Sequence, residues 1–236
     1  MEIASLAKMI DHSLLHPTMT DIELMKGCEL ARKYKVASVC IKPYAVKMAA
    51  EWLINSEVLV GTVIGFPHGS SSISTKVKET EQAFADGAKE VDLVVNIGKV
   101  LSNDWGFIHS EIQSIIEITH SKKGILKVIF ENDFLPNDDY KIRLCQICSA
   151  LKVHYVKTST GYGMVKGTDG KYSYQGATDY DLELMRNHCS PETLIKAAGG
   201  IRTLDDLLRV RSLGVSRVGA TATASILGEA STRFSN

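Results

Sequence analysis

Apolar positions along the chain follow two alternating rhythms. One is helical, with apolar residues three and four apart; the other is a short run rich in Val and Ile. Asp21–Tyr34 reads as a helix leading to a strand over 36–41. Residues 74–86, closed by Gly87, lead to 91–95, and residues 105–120, followed by Gly124, lead to 126–130. Residues 139–151 lead to 153–157, Asp179–His188 to Leu194–Ala198, and 204–213, closed by Gly214, to 216–219. A strand over 57–64 and a short one near 9–14 bring the strands to eight. Thr178-x-x-Asp181 and Thr203-x-x-Asp206 resemble capping boxes, and Gly87 and Gly214 stand where helix-ending glycines belong.

Eight β/α units in 236 residues predict an α/β protein, a TIM (β/α)8 barrel occupying residues 1–236 as a single domain. The competing architecture is a doubly wound open sheet. That fold would more naturally carry a Gly-rich nucleotide loop after its first strand, and none is present.

Charge then narrows the partners. Lys plus Arg and Asp plus Glu number 27 each, so the net charge is zero and no nucleic acid or anionic membrane is called for. Met1-Glu2-Ile3-Ala4-Ser5 has no basic start followed by an apolar stretch, and no apolar run approaches the roughly 18 residues of a membrane span. A cytoplasmic, soluble protein is the expectation. The five cysteines, odd in number and without a secretory leader, read as free thiols. Cys145-x-x-Cys148 has metal or redox spacing but lies in a helical run with no second pair, so two buried thiols and no metal are expected.

Polar residues interrupt strands that should be apolar on both faces. Alternation puts Asp92, Val94 and Asn96 on one face, and Lys127, Ile129 and Glu131 on another. Val153, Tyr155 and Lys157 share a face, as do Leu194, Lys196 and Ala198, and Ser38, Cys40 and Lys42; Asp11 interrupts 9–12. If these faces point inward, the barrel mouth holds three or four lysines with Asp11, Asp92 and Glu131. A ring of compensating ion pairs would have the same look, but charges recurring at the carboxyl ends of several strands mark the end where such barrels build active sites.

The set suits amine chemistry. Lysine is a nucleophile only when neutral, and its ordinary pKa is about 10.4. A second ammonium at ~5 Å, at an effective dielectric of ~20, disfavours the charged form by roughly 3 kcal/mol. Lys157 and Lys196 on consecutive strands can form that pair, while a carboxylate such as Asp92 opposes the shift and can shuttle protons. Spacing alone leaves Lys127, Lys157 and Lys196 as candidates.

Two glycine loops add a ligand. Residues 198–203 (Ala-Gly-Gly-Ile-Arg-Thr) and 218–223 (Val-Gly-Ala-Thr-Ala-Thr) each follow a strand and open a helix, as in the usual barrel phosphate site. Residues 65–70 (Gly-Phe-Pro-His-Gly-Ser) close an earlier strand, either as a tight turn with a surface His or as part of the mouth. Residues 167–172 read as a flexible surface loop near the mouth.

The chain resembles the deoxyribose-phosphate aldolases, from Met9-Ile10-Asp11-His12 to Gly219-Ala220-Thr221. The most specific stretches are Lys157-Thr158-Ser159-Thr160-Gly161, residues 196–203, Glu90-Val91-Asp92 and residues 65–69. The resemblance implies a reversible class I (Schiff-base) cleavage of 2-deoxy-D-ribose 5-phosphate to acetaldehyde and D-glyceraldehyde 3-phosphate, without a cofactor, in deoxyribonucleoside catabolism. It selects Lys157 as the imine-forming amine, with Lys196 tuning it and Asp92 in the proton relay. It puts Asp11 and Cys40 on the pocket wall, Thr160 and Gly161 on the substrate, and Gly199, Gly200, Gly219 and Thr221 on the phosphate. It further implies a homodimer or larger homo-oligomer. Two departures stand out. Residues 231–236 lack the terminal tyrosine found in several members, and Ala222 stands where a hydroxyl residue often follows. Cys40 is also a candidate site of inactivation by an unsaturated aldehyde side product, because a thiolate adds readily to such a group. Two other functions fit the same residues: an aldolase for another phosphorylated sugar, and a phosphosugar-binding barrel without catalysis.

Overall fold

A computed structural model describes residues 2–234. Met1, and the last two positions of the terminal run read above, Ser235 and Asn236, lie outside the described residues. Eight parallel strands close on themselves: β1 Ile10–Leu14, β2 Ser38–Ile41, β3 Leu59–Ile64, β4 Glu90–Val94, β5 Ile125–Ile129, β6 Tyr155–Lys157, β7 Leu194–Ala198 and β8 Arg217–Ala220. β1 pairs with both β2 and β8, so the sheet has no edge and is the expected TIM barrel.

Local chemistry explains where the helices begin. Thr20 and Glu23 make a full capping box at Asp21–Tyr34, as do Thr203 and Asp206 at Leu204–Ser212. Thr178 caps Asp179–His188 with its side chain alone. Gly87 and Gly214 take positive φ just past the ends of their helices, as read from the sequence. Lys35, Lys123 and Lys152 adopt the same left-handed backbone after other helices, without glycine's freedom.

The outward faces of the strands and the inward faces of the helices form one apolar layer, including Val39, Val91, Leu126, Val156, Ile195 and Val218 from the barrel. The inward face is different. Asp11, Ser38, Glu90, Asp92, Lys127, Lys157, Lys196 and Arg217 are all buried there. Between β6 and β7 the chain adds a small antiparallel hairpin, Val165–Lys166 with Tyr172–Ser173, where the sequence reads as loop. Among the described residues no helix is long and apolar enough to cross a membrane. Cys145 and Cys148 are buried on the helix Asp138–Ala150, and all five cysteines are free thiols.

Candidate active site

Strand register builds the site. Lys157 on β6 is the direct partner of Lys196 on β7, and Asp92 on β4 is the partner of Lys127 on β5. The Thr158 hydroxyl donates to the Ala198 carbonyl and accepts from the Ala198 amide, both at 3.1 Å, and so fastens the ends of β6 and β7 together.

Asp92 is the hub. Its Oδ2 accepts from Lys157 Nζ at 2.8 Å and from Lys196 Nζ at 2.7 Å, while Oδ1 accepts from Lys127 Nζ at 3.0 Å. Lys196 also lies 2.5 Å from Asp11 Oδ2. Lys127 donates to Glu90 at 2.6 Å. Arg217 completes the lower layer, donating through Nε to Asp11 at 2.6 Å and through Nη2 to Glu90 and to the Ser38 hydroxyl.

Burial and charge set the proton affinities apart. Lys157 is held below the ordinary lysine value, first by its removal from water, then by Lys196, with Asp92 opposing more strongly than Lys196 helps. Burial, more than the neighbouring ammonium, therefore drives the shift that the sequence assigned to Lys196. Lys196 moves the other way: Asp11 and Asp92 together outweigh its desolvation and raise it. Lys127, although equally buried, is raised further by Asp92, Glu90 and Asp11. Asp92 stays ionised, because three lysines outweigh its burial. Burial and the adjacent Asp92 push the Cys40 thiol up to about 11, so at neutral pH it is held mainly in the thiol form.

Above this layer opens a cavity of about 200 Å³. Ten of the eleven expected site residues line it: Asp11, Cys40, Lys157, Thr160, Gly161, Lys196, Gly199, Gly200, Gly219 and Thr221. Asp92 lies beneath the floor, fully buried. The two glycine loops form one wall, at the starts of the helices Leu204–Ser212 and Thr223–Phe234, whose positive dipole ends favour an anion.

Several expected positions fall elsewhere. Lys42 donates to the carbonyls of Met19 and Pro17, so β2 contributes no lysine to the cluster. Asn96 caps the helix Ile97–Leu101 instead of facing the mouth. Glu131 turns away from the lysine cluster. It takes a left-handed backbone (φ 58°) and accepts from the Thr160 amide at 3.0 Å and from the Thr160 hydroxyl, fixing the turn after Lys157. His68 is exposed, so residues 65–70 form a tight turn whose contribution is Phe66, edge-on to Tyr162 at 5.5 Å. Sequence reasoning missed Arg217 and Glu90 as members of the cluster. Their signal was available: each lies two residues from a mouth-facing position, Gly219 and Asp92, and so shares its face.

A family model described as DeoC/LacD family aldolase matches residues 5–228. The chain belongs to this aldolase family. It is 51% identical over 224 residues to the deoxyribose-phosphate aldolase of Rhodopirellula baltica, covering 95% of this chain and 88% of that one. It is 41% identical to the deoxyribose-phosphate aldolase of Caldicellulosiruptor saccharolyticus, over 95% and 97% of the two chains. Among solved structures it superposes on a putative deoxyribose-phosphate aldolase from Coccidioides immitis with a TM-score of 0.88 at 33% identity, covering 99% of this chain and 87% of that one.

Proposed function

We propose that this chain, as a single cytoplasmic domain, is a class I deoxyribose-phosphate aldolase with Lys157 as its imine-forming amine. The observation that carries the reading is the asymmetry of the two adjacent amines. Lys157 and Lys196 bind the same oxygen of Asp92, yet one is lowered and the other raised, and both open onto a cavity bounded by a phosphate-type loop pair.

The neutral Lys157 adds to the C1 aldehyde of open-chain 2-deoxy-D-ribose 5-phosphate. Loss of water gives a protonated imine, which draws electrons from the C2–C3 bond. That bond breaks because two carbons leave as acetaldehyde and three carry the phosphate. The C3 hydroxyl gives up its proton as glyceraldehyde 3-phosphate forms, and the enamine is then protonated at C2 and hydrolysed. Lys196, the amine that keeps its proton, is the donor, and Asp92 relays between it and Lys157. Asp11 fixes Lys196, and Cys40 fills the wall beside the amine. Thr160 and Gly161 contact the sugar, and Gly199, Gly200, Gly219 and Thr221 hold the phosphate through backbone N–H groups and one hydroxyl. The amine itself is the electron sink, so no cofactor is required. Assembly as a homodimer or larger homo-oligomer rests on family membership, and sedimentation velocity decides it.

The test is borohydride reduction in the presence of acetaldehyde, followed by peptide mapping. The expected result is one irreversible adduct, on Lys157. An adduct on Lys127 or Lys196, or none, overturns the assignment. Turnover of deoxyribose 5-phosphate against longer keto-sugar phosphates checks the substrate.

A further inference from the structure

Residues 162–176 leave the barrel after β6 and return just before the helix Asp179–His188, carrying the small hairpin between them. Both ends are pinned to the site. At the first, Gly163 lies over the Glu131 carboxylate so closely that a Cβ there would stand 2.6 Å from Cδ. At the second, Asp133 accepts from the backbone amides of Gln175 and Gly176, at 2.5 and 3.1 Å, and the Ala177 amide donates to the Gly199 carbonyl at 3.1 Å. Tyr172 points away, 65% exposed, with the Lys166 ammonium 5.9 Å from its ring centre. Beyond the end of its strand at Ser173 the chain turns, and Tyr174 lines the cavity with Lys157, Gly199, Gly200 and Arg202.

The tyrosine meets the phosphate-type loop with its polar end. A Cβ built on Gly199 would stand 3.2 Å from Tyr174 Cε2. Cε2 is bonded to the hydroxyl-bearing ring carbon, so the phenol edge, not the stem, covers Gly199. Gly199 and Gly200 both have φ near +90°, at 87° and 88°, and nothing lies within 4 Å of a Cβ position on Gly200, so that side of the loop faces open space. The phenol edge therefore borders the space over the loop.

We infer that Tyr174 is a specificity-determining residue for the phosphorylated end of the substrate, its hydroxyl donating to a phosphate oxygen across the Gly199–Gly200 loop. The inference rests on the aldolase reading for the identity of the substrate. A neutral donor to a charged acceptor makes one of the stronger hydrogen bonds, and losing it costs roughly tenfold or more in affinity.

The test compares wild type, Tyr174→Phe and, as a control on the outward face of the hairpin, Tyr172→Phe. Three quantities are read: KM and kcat for deoxyribose 5-phosphate, kcat/KM for unphosphorylated 2-deoxyribose, and the calorimetric Kd of inorganic phosphate. Tyr174→Phe should raise KM for the phosphorylated sugar and Kd for phosphate roughly tenfold, leave kcat unchanged, and leave the unphosphorylated sugar untouched, with Tyr172→Phe like wild type. Equal losses on both sugars, or a phosphate Kd within twofold of wild type, overturn the inference. A wild type that turns over neither sugar refutes the aldolase reading instead, and the phosphate Kd still decides the tyrosine contact.

Discussion

Replacing Lys196 with Met removes one ammonium from beside Lys157 and keeps a flexible side chain of similar length. The two amines lie 2.8 and 2.7 Å from one Asp92 oxygen, so at a separation of about 5 Å and an effective dielectric of ~20 their repulsion is roughly 3 kcal/mol, a factor of about a hundred in the neutral fraction of Lys157. Loss of Lys196 also leaves Asp92 less neutralised, which stabilises the Lys157 ammonium further. Both effects raise the pKa of the attacking amine. Because only the neutral amine adds to the aldehyde, the acid limb of kcat/KM moves up by about two pH units, and activity on that limb drops roughly a hundredfold. The assay is the pH profile of kcat/KM on deoxyribose 5-phosphate for wild type, Lys196→Met and Lys196→Arg. Arginine keeps the charge but not the exchangeable proton, so its limb stays in place while the plateau falls. A Lys196→Met profile that is lower at every pH, with an unmoved limb, would refute the electrostatic role.

His12 is buried and bonded through Nδ1 to the Thr223 hydroxyl at 2.8 Å, and burial pushes its pKa down to about 4. The unfolded chain takes up that proton near pH 6.5 and the folded one does not, so the stability His12 contributes is full above about 6.5 and falls away towards 4, by roughly 3 kcal/mol. Urea midpoints should drop across this window in wild type and less in His12→Gln; a flat wild-type curve contradicts this. Lys76 and Glu111 form a fully buried pair at 2.6 Å, and Lys76 also donates to the Gly69 and Val94 carbonyls at 2.8 Å. Lys76→Met should lower the unfolding free energy by about 3–5 kcal/mol, and the double variant Lys76→Met/Glu111→Leu should regain part of it. A double variant no more stable than the single one speaks against a stranded charge. Cys189 is partly exposed, whereas Cys40 is buried and its thiol is raised. Iodoacetamide labelling with peptide mapping should reach Cys189 before Cys40, and the reverse order contradicts the masking of the Cys40 thiol.

The barrel was readable because its signals are local: apolar periodicity, capping pairs such as Thr203 with Asp206, and Gly87 and Gly214 after helices. The register of Lys157 against Lys196 was readable too, since consecutive strands of a parallel barrel lie side by side. What a one-dimensional reading loses is where alternation stops. Lys42 keeps the parity of Cys40, but β2 ends at Ile41 and the chain turns, so the ammonium finds carbonyls of the β1 loop instead. Glu131 keeps the parity of Lys127, yet its left-handed backbone swings the carboxylate onto Thr160. Arg217 and Glu90 were hidden for the opposite reason. An Arg or Glu at the start of a strand normally reaches water, and only closure of β8 onto β1 brings Arg217 beside Asp11. The hairpin just before Tyr174 has too short a pairing to show any period.

The cluster contains its own rule for choosing the nucleophile. Lys127, Lys157, Lys196 and Arg217 face Asp11, Glu90 and Asp92, four bases against three carboxylates, all buried. With every group ionised one positive charge has no partner, which a water-poor interior disfavours. Arg217 keeps its proton at any working pH. Lys127 lies 2.6, 3.0 and 3.5 Å from three carboxylates, Lys196 lies 2.5 and 2.7 Å from two, and Lys157 lies 2.8 Å from one, whose oxygen it shares. The proton is therefore least well held on Lys157, although Lys127 and Lys196 are as deeply buried. Removing a carboxylate that does not touch Lys157 tests this rule. Asp11→Asn strips a neighbour from Lys196, Lys127 and Arg217 together, leaves the field at Lys157 more positive, and moves the acid limb of kcat/KM down, opposite to Lys196→Met. If both variants shift the limb the same way, carboxylate count is not what selects the amine.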